Sequence, residues 1–205
     1  MKKIYFFWDC DDICIKIIDE FRKFIDEKYD IFLPRDLGNL EKIEKQIGIQ
    51  QSTLSQWWSV FNASDYLFKK ELAPNKMLVE LIKKLHTDGH ESHFITSRSE
   101  CELSESIEKW KDRYFGTRIS SIHCSNDSKK KSELISDVVK PDDFLFFSSK
   151  TCTHAVEVAQ VFQKNSLVFL FNSVGSKNQV IPNLQNLKRI QNVRELIFDI
   201  NVRFA

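Results

Sequence analysis

Five short apolar runs recur along the chain, and amphipathic segments separate them. Each run is rich in phenylalanine or isoleucine, which is typical of strands that are buried on both faces of a parallel sheet. The runs are Lys3–Trp8, Ser92–Thr96, Ile119–Cys124, Asp143–Phe147 and Ser166–Phe171. Between them, apolar residues at helical spacing predict helices over 74–89, 103–116, 155–162 and 193–200. A further helix is predicted to start at the lysines 129–131 and to end before Pro141. The alternation of strand and helix from residue 74 onward predicts an α/β fold.

The stretch from residue 14 to residue 72 interrupts this alternation. Three helical patterns occupy it, over Cys14–Lys28, Leu37–Ile47 and Ser52–Phe68, and none of them is joined to a convincing strand. We therefore predict a core domain made of residues 1–13 and 73–205. Residues 14–72 are predicted to form a small helical cap inserted after the first strand.

Composition narrows the function classes. The chain has 205 residues, is 42% hydrophobic and 29% charged, and carries a formal net charge of +1, so binding along a nucleic-acid backbone is disfavoured. Its five dispersed glycines exclude a Gly-rich dinucleotide loop and a Walker A loop. Five cysteines without a C-x-x-C pair favour a reducing compartment. No apolar run reaches the ~18 residues of a transmembrane helix. These features predict a cytoplasmic protein that does not interact with membranes.

Candidate chemistry follows the first predicted strand. Ligands of open parallel sheets bind beyond the carboxyl ends of the strands, and Asp9 and Asp11 stand at that position. Asp9 could act as a nucleophile or a metal ligand, and Asp11 as a proton donor and acceptor. The alternative is that these acids only cap the following helix.

Polar residues also follow the second and third strands. Thr96 and Ser97 could hold a phosphate oxygen through a hydroxyl and a backbone N–H group, or could simply cap a helix. Of the three consecutive lysines at 129–131, Lys131 is best placed to face the same edge of the sheet. The alternative is a solvated basic face.

In this order, the motifs resemble those of the haloacid dehalogenase (HAD) superfamily of aspartate-nucleophile phosphohydrolases. The details look closest to its deoxyribonucleotidase-like branch, in which a short helical cap precedes a segment like Pro74–Arg98. The resemblance covers residues 3–175 and implies a Rossmann-like, doubly wound parallel sheet.

The resemblance also implies a mechanism and a ligand set. Asp9 would attack a small phosphomonoester, with a nucleoside monophosphate as one candidate, to give an aspartyl-phosphate. Asp11 would transfer the protons, while Thr96, Ser97 and Lys131 would hold the phosphoryl oxygens. Mg²⁺ would bind at Asp9, Asp11 and an acid after the fourth strand. The cap aromatics could stack on a substrate ring or pack in the core: Trp57, Trp58, Phe61 and Tyr66.

The fourth motif departs from the family pattern. The strand ending at Phe147 is followed by Ser148, Ser149 and Lys150 in place of acids. Ser149, or a water that it holds, could take the position of the acid, but without a negative charge, so we expect Mg²⁺ to bind more weakly. Asp142 and Asp143 precede this strand and are expected at the opposite end of the sheet.

Two other functions remain open at this point. The missing acid is typical of a degenerate family member that binds without catalysis. Residues 37–68 also contain a pattern similar to a DNA-binding helix-turn-helix, although its second helix has no basic residue.

His123-Cys124 and Cys152-x-His154 could lie near each other, but neither pair has a recognised metal-ligand spacing.

Overall fold

A six-stranded parallel sheet forms the centre of the molecule. The computed structural model describes residues 3–10, 13–14, 17–34, 47–64, 73–97, 105–125, 129–172, 176 and 179–204. The strands are β1 (Ile4–Asp9), β2 (Glu91–Thr96), β3 (Ser121–Cys124), β4 (Phe144–Ser149), β5 (Ser166–Phe171) and β6 (Leu187–Ile190). The helices are α1 (Ile17–Tyr29), α2 (Gln51–Ala63), α3 (Lys76–Thr87), α4 (Glu105–Tyr114), α5 (Lys131–Ser136), α6 (Cys152–Val161) and α7 (Val193–Phe204).

The strand order confirms the predicted fold class. The order across the sheet is β3-β2-β1-β4-β5-β6, and each neighbouring pair is parallel. The chain therefore winds outward from β1 to β3, returns to the other side of β1, and winds outward again through β6. This is a doubly wound, Rossmann-like sheet whose order reverses between β1 and β4.

Two hydrophobic clusters, one on each face of the sheet, explain the continuous apolar runs. Phe6 and Trp8 of β1 belong to one cluster, and Tyr5 and Phe7 belong to the other. Successive side chains of a strand point to opposite faces, so a strand that is covered on both faces needs apolar residues at nearly every position. Several of the phenylalanines stack across the sheet, such as Phe6 on Phe146, with ring centroids 4.6 Å apart.

Local signals fix the helix that leads into β2. The Asn75 side chain accepts a hydrogen bond of 3.1 Å from the Met77 N–H group, which caps the amino end of α3. Gly89 has a φ of +83°, a conformation that favours glycine, and it ends the turn after α3. The Pro74 and Gly89 signals in the sequence therefore bracket the observed helix.

Helices α1 and α2 lie in the predicted insertion and pack on each other. Phe21 of α1 meets Trp58 and Phe61 of α2, with ring centroids 4.9 and 5.3 Å apart, and Trp57 stacks on Tyr29 at 4.9 Å. These three cap aromatics therefore pack against α1 and its end. Tyr66 and most of the predicted helix over Leu37–Ile47 lie outside the described residues, as does much of the helix-turn-helix pattern.

A backbone hydrogen bond joins the first residue of the predicted insertion to the core segment that follows it. The Asn75 N–H group donates to the Cys14 carbonyl oxygen at 3.1 Å. The buried apolar residues of α1 and α2 belong to the same hydrophobic cluster as Phe6 and Trp8. The division into core and cap remains a prediction.

Within the described ranges, no helix is both long enough and apolar enough to cross a membrane.

Candidate functional site

Asp9 is the last residue of β1 and lies at the point where the strand order reverses. It shares a sheet face with Tyr5 and Phe7 because side chains alternate along the strand. Only 3% of the residue is exposed, so its carboxylate needs partners inside the protein. The backbone continues the sheet for one more bond, since the Cys10 N–H group donates to the Ile95 carbonyl oxygen at 3.0 Å.

Ser149 is the first partner of Asp9. The parallel register pairs Trp8 with Ser148, which brings the next residue of each strand to neighbouring positions on the opposite face. The Ser149 hydroxyl donates a hydrogen bond of 2.7 Å to Asp9 Oδ2, and it accepts one of 3.1 Å from the Thr151 N–H group. Ser149 is completely buried, and its rotamer is fixed by these two bonds.

Lys131 is the second partner, and it approaches from the first residue of α5. Its Nζ lies 2.9 Å from Asp9 Oδ2, and its side chain is 1% exposed. Nζ makes no hydrogen bond of ordinary geometry with the described residues, so the contact with Asp9 is an ion pair by distance. Lys129 instead pairs with Asp137 at the surface, and Lys130 is exposed. Of the three lysines, Lys131 is therefore the one at the site.

A neighbouring helix holds α5 in place. Both the N–H group and the hydroxyl of Ser132 donate to Glu157 Oε1 of α6. Because Ser132 follows Lys131 directly, this contact fixes the backbone from which the ammonium reaches Asp9. Glu157 thus positions Lys131 through Ser132.

Two of the three other predicted site residues lie at the end of β2. Thr96 is completely buried, and it follows Ile95, the register partner of Asp9. Its carbonyl oxygen accepts from the N–H group and the hydroxyl of Ser125, at 2.8 and 3.1 Å. Ser97 is exposed just beyond the strand. Asp11 lies outside the described residues.

His154 is a neighbour of the site to which the sequence analysis assigned no role. It lies in the first turn of α6, and its Nδ1 is buried without a hydrogen-bond partner among the described residues. Burial lowers the pKa of His154, and the charge of Lys131 lowers this pKa further, against the opposing effects of Asp9 and Glu157. The available signal was the position of Cys152-x-His154 after the fourth strand.

The described part of the site does not fit the Mg²⁺ ion that the family resemblance implies. Mg²⁺ prefers charged oxygen ligands, and here the described donors are one carboxylate, Asp9, and one neutral hydroxyl, Ser149. The same carboxylate oxygen already contacts the Lys131 ammonium, whose charge repels a cation. In the described ranges, no three His, Cys, Asp or Glu side chains converge on a possible metal position.

Comparisons with known proteins agree on the fold. No family model matches the chain, and no curated protein matches it. Solved structures do match, including a candidate HAD-like hydrolase from Burkholderia xenovorans LB400, with 9% identity, complete coverage of both chains and a TM-score of 0.62. A second is the HAD hydrolase YfnB from Bacillus subtilis, bound to magnesium, with 11% identity, coverage of 98% and 100%, and a TM-score of 0.60.

A third match is CbbY from Rhodobacter sphaeroides in complex with phosphate. It is 13% identical, with coverage of 92% of this chain and 94% of that one, and a TM-score of 0.54. Together these structures show that the chain has the HAD-like fold over nearly its whole length. The predicted resemblance is confirmed at this level, and the deoxyribonucleotidase-like branch stays a prediction.

Proposed function

We propose that the protein is a HAD-like phosphohydrolase that acts on a small phosphomonoester, with nucleoside monophosphates as the first candidates. The observation that carries this proposal is the Asp9–Lys131 ion pair at the reversal point of a doubly wound sheet. A buried carboxylate there can attack a phosphorus atom, and an adjacent ammonium can stabilise the charge that develops on the phosphoryl oxygens.

In the proposed reaction, Asp9 Oδ1 is the attacking oxygen because the Ser149 hydroxyl and the Lys131 ammonium both contact Oδ2. A bond forms from Oδ1 to phosphorus while the bond to the ester oxygen breaks. Asp11 donates the proton that the leaving alcohol takes up. Water, deprotonated by Asp11, then attacks the aspartyl-phosphate, which releases phosphate and restores the Asp9 carboxylate.

In the proposed reaction, Thr96 and Ser97 at the end of β2 bind the phosphoryl oxygens. The helical segment over 14–72 would act as the cap that selects the rest of the substrate. The described cysteines are reduced, namely Cys10, Cys14, Cys124 and Cys152. Reduced cysteines agree with the proposed cytoplasmic location.

The test is release of inorganic phosphate from a panel of nucleoside monophosphates, sugar phosphates and p-nitrophenyl phosphate, with Mg²⁺ and with EDTA. We expect the wild type to hydrolyse at least one of these esters and Asp9→Asn to be inert. Asp9→Glu, which keeps the charge but displaces the nucleophile, should also be inert. Asp142→Asn, an exposed change at the other end of β4, should retain wild-type activity. Equal inertness of the wild type and Asp9→Asn would overturn the proposal.

One observation favours a second candidate, a catalytically inactive binding protein. Ser149 occupies the position where the family pattern has an acid, and it donates a hydrogen bond to Asp9. A degenerate site would still bind a phosphomonoester. It would show saturable binding by calorimetry that Asp9→Asn alters, with no phosphate released over the same substrate panel.

A further inference from the structure

We infer that Ser149 makes the Asp9 site independent of divalent cations, and that Lys131 supplies the positive charge that such a cation would otherwise bring. This inference rests on the proposed function in one respect, namely that Asp9 lies in the functional site. It concerns which cation balances Asp9, and it is tested without any substrate.

The first argument is charge balance. The Asp9 and Lys131 side chains are 5% and 1% exposed, and Nζ lies 2.9 Å from Oδ2. A buried charge is costly unless it is paired, and these two charges pair one to one. A Mg²⁺ ion that bound Oδ2 would have to displace this ammonium or remain next to it, and like charges at close range repel strongly where water is excluded.

The second argument concerns the two hydrogen bonds of the Ser149 hydroxyl. Its proton is directed to Asp9 Oδ2, and one lone pair accepts the Thr151 N–H group. The hydroxyl therefore acts as a donor to the carboxylate rather than as a ligand beside it. An aspartate at this position would instead add a second negative charge, and two carboxylates against one ammonium would leave a net charge that attracts a divalent cation.

No other described acid takes the place of the missing one. Glu157 is occupied, because two donors of Ser132 meet its Oε1. Asp143 lies at the amino end of β4, where its Oδ1 accepts from the Lys3 N–H group at 3.2 Å. The substitution at Ser149 is therefore uncompensated within the described residues.

The experiment titrates Mg²⁺ by calorimetry, and Mn²⁺ by electron paramagnetic resonance, into the full-length protein without substrate. We expect no saturable binding to the wild type at millimolar concentrations. Ser149→Asp should bind saturably, with a Kd at least about tenfold below the highest concentration at which the wild type shows no binding, and Asp9→Asn in the same background should abolish that gain. Ser136→Asp, which adds the same charge at an exposed position of α5, should leave binding unchanged.

Two results would overturn the inference. One is saturable binding to the wild type that Asp9→Asn removes, and the other is a folded Ser149→Asp protein that gains no affinity. If repulsion between the two carboxylates destabilises Ser149→Asp, Mg²⁺ should raise its Tm, because a ligand of the native state stabilises it. Absence of that shift would also contradict the inference. Because no reaction is followed, these outcomes are separate from failure of the phosphohydrolase proposal.

Discussion

Asp9 and Lys131 form a buried ion pair at the site, and we expect this pair to affect the free energy of unfolding. Both side chains are buried, so removing either charge leaves the other unpaired. We expect Asp9→Asn and Lys131→Met each to lower the free energy of unfolding by about 3 kcal/mol, the loss typical of breaking a buried ion pair. Urea unfolding at pH 7 measures both losses.

The double variant Asp9→Asn/Lys131→Met separates pairing from packing. It removes both charges together, so its loss of unfolding free energy should be clearly smaller than the sum of the two single losses. Additive losses would show that the two charges do not interact in solution, which would contradict the geometry of the pair.

Ser148 and Ser149 offer a matched pair of adjacent buried hydroxyls with different partners. Ser149 donates to a carboxylate, whereas the Ser148 hydroxyl has no hydrogen-bond partner among the described residues. We expect Ser149→Ala to lower the free energy of unfolding by about 1.5–3 kcal/mol, the range for hydrogen bonds to charged groups, and Ser148→Ala to be nearly neutral or stabilising. Equal effects in urea unfolding would argue against the Ser149–Asp9 bond.

At the scale of elements, the short helix α5 depends on α6 for its position. Its six residues are too few for a stable isolated helix, and Glu157 accepts two hydrogen bonds from Ser132. Glu157→Ala should therefore lower the free energy of unfolding by about 1–3 kcal/mol. It should also speed amide hydrogen exchange in α5 more than in the strands.

The control for this helix is Glu133→Ala. Glu133 is exposed on α5 itself and accepts a hydrogen bond of 3.0 Å from the Lys130 N–H group. Because that bond is solvent-exposed, its loss should change the free energy of unfolding by at most about 0.5 kcal/mol. A larger effect from Glu133 than from Glu157 would contradict the role assigned to α6.

Burial on both faces makes the sequence pattern of a strand unambiguous, and β1, β2, β4 and β5 are predictable for this reason. β3 is an edge strand of partly exposed residues, and the run Ile119–Cys124 predicts it nonetheless. β6, over Leu187–Ile190, was missed because it is a partly exposed edge strand with two basic residues in the middle. The helix that the sequence predicts from the lysines at 129–131 to Pro141 begins as expected but ends about one turn early: α5 ends at Ser136, and Val139 is buried beyond its end.

At the site, the sequence indicated which strand ends carry polar residues but not how they pair. The proximity of Asp9 and Ser149 depends on the register between β1 and β4, which no local pattern specifies. The direction of the Ser149 proton is likewise a tertiary property, since the hydroxyl donates to the Asp9 carboxylate, which is distant in the sequence and can only accept. His154 was assigned no role because a lone histidine carries no signal until its neighbours are known.

At the scale of the whole molecule, the histidines make stability depend on pH. Burial lowers the pKa of His90, His93, His123 and His154. Burial, and then the neighbouring His123, lower the pKa of His93 to about 4, against the opposing charge of Glu91. At neutral pH, His93 is therefore uncharged, and its 3.7 Å contact with Glu91 is not an ion pair.

The sign of the pH effect follows from proton binding. Below pH 6.5 the unfolded chain takes up protons on these histidines while the native state does not, so the free energy of unfolding must fall as the pH falls. For His93 the window runs from about pH 6.5 down to about pH 4. One such group contributes at most about 1.4 kcal/mol per pH unit in this window.

Urea unfolding at pH 7.5, 6, 5 and 4.5 tests this expectation in the wild type, His93→Gln and His86→Gln. His93→Gln removes hydrogen bonding to Ser121 at 2.8 Å and ring stacking on Phe7, so it should be less stable at pH 7.5. Its loss of stability between pH 6 and pH 4.5 should nevertheless be shallower than in the wild type, because one proton-binding difference is gone. His86→Gln is the matched change at an exposed position of α3, and it controls for the substitution itself. If the slope of His93→Gln equals that of the wild type, the acid sensitivity arises from other groups, and the neutral, buried state of His93 is contradicted.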